Sequence, residues 1–447
     1  MTTCTKGEFT PLSPQLFKCD ELLPEKMIYP RVVSVENLAD GDLTVGQIIE
    51  LDIEQVAHGG HFIARHHGRV IFVRQAITGE RVSVLIEEVS KKVVRASVIA
   101  LIKPSPHRKD PECSYFLDRS CGGCDFLHID LAYQRELKAE VLKDCFKRIA
   151  QIDVDPICHS ASVDESGLGW RGRMDFTISP QRKIALHAPR SHDLTEIESC
   201  LIASPAIDIE KINSEVIKRE NLPAGARLRV AIDSEGNLQV YSEQRRSGKN
   251  SKKAITLARM KAGGKEFLIS PDSFWQSHHR AADLLQERVI QLLKPRAGEH
   301  ILDLYGGVGL FTAFIKDLVG PTGRVSLIES HPSAAADARR IFAEDLHVVV
   351  MEMEVLRALK KLKAVDRIVI DPPRSGAGAS VISEILRLLP EQIIYISCDP
   401  ATLARDAKAL IAGGYRLGAV DGYDLFPMTE HIESVAEFIL DRATSQR

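Results

Sequence analysis

Between His279 and the C-terminus, long helical segments alternate with short apolar strands: EHILDLYGG, GRVSLIES, LHVVVME, VDRIVIDPPR and QIIYISCDP. Strands this apolar alternating with helices predict a parallel sheet covered by helices on both faces. Open sheets of this kind bind ligands outside the carboxyl ends of their strands, so the residues leaving those ends are the first candidates for chemistry. At 447 residues the chain exceeds one typical core, and its length predicts two to four compact units.

Upstream, residues 1–40 show little periodicity and read as an N-terminal extension. From Val45, the short β-like runs VGQIIELDIEQVA, HFIARHHGRVIFVRQAI, ERVSVLIEEVS and VVRASVIALI are separated by Gly59-Gly60, Gly68 and Gly79. That spacing predicts a small β-barrel over 41–103. Through VGQ, GGHFIARHHGRVIFV and the TGERV turn (Thr78 to Val82) it resembles the TRAM domain, an OB-like RNA-binding module. LAYQRELKAEVLKDCFKRIA, Leu131 to Ala150, has helical apolar spacing. From Trp170 to about Leu268 the chain reads as mixed strands, with a hairpin around the Ser-Glu-Gly-Asn turn of RLRVAIDSEGNLQVYSE. The expected fold class is multidomain α/β: a barrel, a central α+β domain over 104–270, and a parallel-sheet domain over 271–447.

With 44% hydrophobic and 27% charged residues, and no apolar run long enough to cross a bilayer, no membrane partner is expected. The start, MTTCTKGEFTPLSPQLFKCDELLPE, has early acidic residues and no signal-like apolar stretch, so a cytoplasmic location is expected. A net charge of -3 does not advertise nucleic acid. Local basic stretches occur at Lys91, Lys92 and Arg95, at His107 to Lys109, and from Arg245 to Lys253 with Arg259, Lys261 and Lys265. Such runs are more often solvated surface than binding sites. No obligate protein partner is evident.

Nine cysteines in a cytosolic chain read first as metal ligands, catalytic thiols or core fillers. Cys113-x7-Cys121-Gly-Gly-Cys124, with Cys200 as a distant fourth, supplies four thiolates for either an iron-sulfur cubane or zinc. Spacing does not choose between them.

In the C-terminal part, ILDLY runs into the glycine turn GGVGLF, and Glu329 ends the next strand. A glycine turn admits a ligand close to the backbone, and an acid ending strand two accepts from ribose hydroxyls. The full pyrophosphate fingerprint is missing, which favours S-adenosylmethionine over a nicotinamide dinucleotide. IDPPR places Asp371 and Arg374 at the end of the fourth strand, and YISCDPATLARD places Cys398 at the end of the fifth. A cysteine after a strand is usually a small core residue. Here it is followed by Asp-Pro at the ligand end of the sheet, next to the methyl-donor site, and the helix start behind it is expected to favour a thiolate. In LFPMTEHIESV, position alone does not select a base among Glu430, His431 and Glu433.

SFWQSH (Ser273 to His278), DLYGGVGLF, IDPPRSG, YISCDP and FPMTEHIES follow, in order and spacing, the RNA uracil-5-methyltransferase family, and the resemblance covers most of the chain from Val45. It implies a Rossmann-like class I methyltransferase domain and S-adenosylmethionine contacts from Gln276, Tyr305, Glu329 and Asp371. Cys398 would be the nucleophile and Glu433 the base. A 4Fe-4S cluster on Cys113, Cys121, Cys124 and Cys200 is implied, in a structural or RNA-positioning role, with zinc as the alternative. The version with both a TRAM domain and a cluster resembles enzymes acting on 23S ribosomal RNA, the tRNA-modifying relatives lacking both. Two positions depart from the family: Gly306 replaces a usual cysteine, and Leu310 an asparagine found in some members.

Carbon 5 of uracil is a poor nucleophile, so thiolate attack at carbon 6 is expected to activate it, on a uridine flipped out or unpaired. The competing readings are a non-catalytic RNA-binding or assembly protein on a methyltransferase fold, methylation of another RNA such as tRNA, and methylation of a protein or small molecule.

Overall fold

The computed structural model describes residues 43–161, 166–218, 221–242 and 257–441. The expected extension at 1–40 and the basic run Arg245 to Lys253 lie outside them. Five strands, β1 (Ile48–Ala57), β2 (His61–His66), β3 (Arg69–Arg74), β4 (Arg81–Val89) and β5 (Val94–Lys103), close into the expected barrel in the order β1-β2-β3-β5-β4. Its inward-pointing residues, Phe62, Ala64, Ile71, Val73, Val82 and Val84, are completely buried at every second position, as a closed sheet requires.

The helix Leu131–Cys145 starts at Asp130, whose side chain accepts from the Tyr133 amide, and continues through a π-turn, Phe146–Ala150. A short strand, β6 (Cys158–Ser160), follows. The central strands β7 (Arg173–Ile178), β8 (Ile184–His187), β9 (Leu194–Glu196), β10 (Arg227–Ile232) and β11 (Leu238–Ser242) form an antiparallel sheet in the order β11-β10-β7-β8-β9. The expected hairpin is β10 and β11. A two-stranded ribbon, β12 (Ala258–Ala262) and β13 (Lys265–Ile269), leads into the last domain.

There, β14 (His300–Leu304), β15 (Arg324–Glu329), β16 (Val348–Glu352), β17 (Arg367–Ile370) and β18 (Gln392–Ser397) are the five strands expected, all parallel. Two more, β19 (Tyr415–Asp424) and β20 (Glu433–Leu440), together with β6, complete an eight-stranded sheet of order β16-β15-β14-β17-β18-β20-β19-β6. The sheet is therefore parallel at one end and mixed at the other. β20 runs antiparallel to both β18 and β19; toward β19 the connection 425–432 is too brief for a parallel crossover.

Both faces are covered. Helices Ala281–Leu293, Thr312–Val319 and Pro332–Ile341 bury one face over Ile301, Val325, Val369 and Ile394. Val355–Leu359, Gly378–Leu388 and Pro400–Ala412 bury the other over Leu302, Ile328, Ile368 and Tyr395. The latter core continues through the helix Leu131–Cys145 into the barrel, so barrel and sheet share one apolar interior. No helix among the described residues is long and apolar enough to cross a membrane.

Candidate active site

The glycine turn closes with Tyr305 at φ 60, Gly307 at φ 57 and Gly309 at φ 93, left-handed conformations that glycine adopts freely and tyrosine only under constraint. A β-carbon at Gly306 would lie 2.8 Å from Leu327 Cγ, so the turn is seated against strand β15. Glu329 holds it from the side: its carboxylate accepts from the Gly307 amide at 2.9 Å and the His331 amide at 2.5 Å. A carboxylate on the turn's own amide repels a pyrophosphate and suits a nucleoside with ribose hydroxyls. Beneath it Asp303 is completely buried; Oδ2 accepts from Thr312, while Oδ1 has no hydrogen-bond partner among the described residues. Burial pushes Asp303 up to about 6. This inward-facing acceptor went unrecognised in the sequence, where it reads as one more strand residue. Leu310 is buried in the core beside the turn. Gln276 is half-buried in the segment entering helix Ala281–Leu293.

Asp371 leaves β17 and Cys398 leaves β18 at the same edge, and Glu433 begins the neighbouring β20. Burial raises all three: Asp371, with the Asp303 charge added, to about 7; Cys398, with the Glu433 and Asp371 carboxyls added, to about 12; and Glu433 well above the usual carboxylate range. The helix start behind Cys398 therefore does not by itself deliver the thiolate expected of it. Arg374 opposes the rise at both Cys398 and Glu433, and its guanidinium lies 3.3 Å from His431 Nε2. The sequence had offered Arg374 only as the end of IDPPR. Of the three candidate bases, Glu430 is paired with His431 at 3.1 Å and stays ionised, whereas Glu433 is 5% exposed and faces Cys398.

The barrel reaches this edge. A β-carbon on Gly60, in its β1–β2 turn, would lie 3.1 Å from both Asp125 and Glu430, so only glycine lets the turn approach so closely. His58 of the same turn lies 3.2 Å from Asp399, the residue after Cys398.

The four cysteines separated in sequence come together. Cys113, Cys121, Cys124 and Cys200 line one cavity of about 210 Å³ with Arg171. The Gly123 amide lies 3.4 Å from Cys121 Sγ, and the Ile202 and Ala203 amides face the Cys200 thiol. A β-carbon on Gly122 would lie 3.1 Å from Pro189, which is why the Gly-Gly pair lets this loop close. Among the described residues no group of three or more donors converges tightly enough for a single ion. Several basic residues are spent elsewhere: Arg108 pairs with buried Glu80 at 2.7 Å, Arg95 with Glu88, Arg259 with Glu266, and Lys265 with Asp317.

Residues 251–441 match the family model "tRNA (Uracil-5-)-methyltransferase" and residues 42–99 the TRAM domain model. An RNA methyltransferase of Streptomyces avermitilis is 34% identical over 88% of this chain and 98% of its own length. The 23S rRNA (uracil(1939)-C(5))-methyltransferase RlmD of Thiobacillus denitrificans is 30% identical over 87% of this chain and 99% of its own. The chain belongs to the RNA uracil-5-methyltransferase family. It is an S-adenosylmethionine-dependent RNA (uracil-5-)-methyltransferase with a TRAM barrel. The Pyrococcus abyssi tRNA (uracil-54, C5)-methyltransferase, solved with S-adenosyl-L-homocysteine, shares the fold at a TM-score of 0.65 and 23% identity, covering 88% of this chain and all of that one. A uracil-5-methyltransferase named for tRNA thus shares the fold across most of the chain. The shared fold alone does not separate the two RNA classes.

Proposed function

We propose that this uracil-5-methyltransferase modifies a uridine of 23S ribosomal RNA in the cytoplasm through a covalent adduct on Cys398. The observation that carries the chemistry is that Cys398, just past the end of β18, and Glu433, at the start of the neighbouring β20, lie within electrostatic reach of each other, with Asp371 beside them at the ligand edge. The full-length likeness to RlmD supports the ribosomal substrate.

S-adenosylmethionine, held by Gln276, Tyr305, Glu329 and Asp371, supplies an electrophilic methyl carbon on a sulfonium leaving group. Cys398, giving its thiol proton to solvent and favoured as thiolate by Arg374, adds to carbon 6 of a flipped-out uracil. The carbon 5–carbon 6 π electrons move toward oxygen 4, and the enolate's carbon 5 takes the methyl group. Glu433, in its carboxylate form and with its proton affinity raised by burial, then accepts the carbon 5 proton. The double bond reforms, the sulfur–carbon 6 bond breaks, and Cys398 leaves as thiolate.

The four thiols are read as ligands of a 4Fe-4S cluster. Four thiols lining one cavity, with amides pointed at Cys121 and Cys200, supply the donor set of such a cluster, and zinc is the alternative they would also take. We also assign the sequence units 41–103 to RNA contact, 104–270 to the cluster and 271–447 to methyl transfer.

Incubation with 23S ribosomal RNA and with tRNA, each with labelled methyl donor, tests the reading. Label at carbon 5 of a ribosomal uridine, lost in Cys398→Ala, is expected. Label confined to tRNA overturns the substrate, and full activity of Cys398→Ala overturns the mechanism.

A further inference from the structure

The connection 425–432, which delivers Glu433 to the site, is tied at three successive residues to the region that holds the cysteines. Lys138 Nζ donates to the Phe426 carbonyl at 3.0 Å, and Trp170 Nε1 to the Pro427 carbonyl at 3.2 Å. The Met428 amide donates to Gln134 Oε1 at 2.9 Å, and the Met428 carbonyl accepts from the Asp125 and Phe126 amides, both at 3.0 Å. Thr429 turns back on the same segment, its hydroxyl donating to the Phe426 carbonyl at 2.8 Å. Asp125 and Phe126 are the two residues directly after Cys124.

Met428 is completely buried and sits at φ 67, a left-handed conformation that is strained for a non-glycine residue and persists only where its surroundings enforce it. What enforces it is visible. Gln134, itself completely buried, accepts from Met428 and donates to the Phe126 and Ile129 carbonyls at 3.0 and 2.9 Å, closing a ring between the helix Leu131–Cys145, the residues after Cys124 and the connection. The Met428 side chain packs with Phe116, Leu127, Trp170 and Ile202, in a small core edged by Cys113, Cys124 and Cys200. The cysteine cavity and the catalytic connection thus share both a hydrogen-bond ring and an apolar core.

We propose that Gln134 and Met428 are positioning residues for Glu433, and that the filled cysteine site holds them in place, so that loss of its contents misplaces the base. The inference rests on reading the four thiols as cluster ligands and Glu433 as the base. The physical reason is geometric: general-base action demands hydrogen-bond reach, and a strained residue five positions upstream relaxes once the amides that hold it move.

The test uses the anaerobically purified full chain. Gln134→Ala is expected to keep iron and sulfide per chain and donor affinity by calorimetry. Turnover should fall about 10²-fold or more, the worth of a positioned general base, with the RNA KM nearly unchanged. A protein–RNA band should persist under denaturing conditions, because elimination is the step that stalls. Trp170→Phe, which removes the bond to Pro427 while keeping a ring, should show the same split more weakly if Gln134→Ala fails to fold. Wild-type protein stripped of iron by chelator should likewise bind the donor and accumulate the band. Glu433→Gln separates the readings. No band from Glu433→Gln overturns the base assignment. A band from Glu433→Gln with none from Gln134→Ala, Trp170→Phe or stripped protein overturns only the positioning proposal. Purification without iron or sulfide overturns the link to the cluster.

Discussion

Ser397 and Ser434 face each other across the antiparallel pair β18–β20, so the next residue on one strand, Cys398, and the preceding residue on the other, Glu433, stand opposite at the sheet's ligand edge. Directly opposed residues on antiparallel strands project on the same face, which brings a thiol and a carboxyl together although 34 residues of chain lie between them.

Arg374 is the cation that acts on both groups. Arg374→Met is expected to push the Cys398 thiol higher still, so that its alkylation by iodoacetamide at a fixed mildly alkaline pH slows several-fold. Arg374 is exposed, so solvent screening keeps the effect modest. An unchanged rate, read by mass spectrometry of the Cys398 peptide, would show that the charge does not reach the sulfur.

Gly306 has no room for a side chain against Leu327. Gly306→Ala should cost about 1–3 kcal/mol in denaturant unfolding, the usual penalty for overpacking, and weaken donor binding as the turn shifts. Wild-type stability with wild-type donor affinity would show that β15 yields without consequence.

Lys138 and Asp424 form an ion pair at 2.6 Å with side chains 0% and 1% exposed. Removing one partner strands the other charge in the interior, so Lys138→Met should destabilise by about 3–5 kcal/mol, whereas Lys138→Met with Asp424→Leu should regain most of it. Equal losses in the single and double variants would place the cost in the Phe426 carbonyl contact instead.

The barrel contact at Asp399 carries a pH signature. The hydrogen bond to Asp399 raises His58 above 6.5, while Asp399 falls to about 2 because hydrogen bonds from His58 and Thr402 outweigh its burial. The histidine's contribution is complete below 6.5 and is lost as pH rises through its raised folded value. The aspartate's is complete above 3.8 and is lost as pH falls toward 2. The Tm difference between wild type and His58→Gln should therefore be largest between those two ordinary values and shrink on either side. A pH-independent difference would assign the contact to packing alone.

Much of the frame was legible because it rests on local periodicity. Fully apolar strand runs alternating with helices predict a doubly covered sheet, and the glycine-punctuated runs from Val45 predict the barrel. The strand-end positions of Glu329, Asp371 and Cys398 follow from the same reading. The mixed end of the sheet was less legible: IESVAEFIL reads equally as strand or helix, and only its pairing with β18 and β19 decides.

The sequence by itself determined the elements, the glycine turn and the set of thiols and carboxyls available. Tertiary structure alone decided which of Glu430, His431 and Glu433 meets Cys398, that Cys200 joins Cys113, Cys121 and Cys124, that the thiol is raised rather than lowered, and that Met428 is held by Gln134 294 residues away. Periodicity reports which face of an element is buried, a property of neighbours in sequence. Burial, charge proximity and a strained backbone are set by contacts between distant segments, and those exist only once the sheet, barrel and cysteine loop have closed on one another.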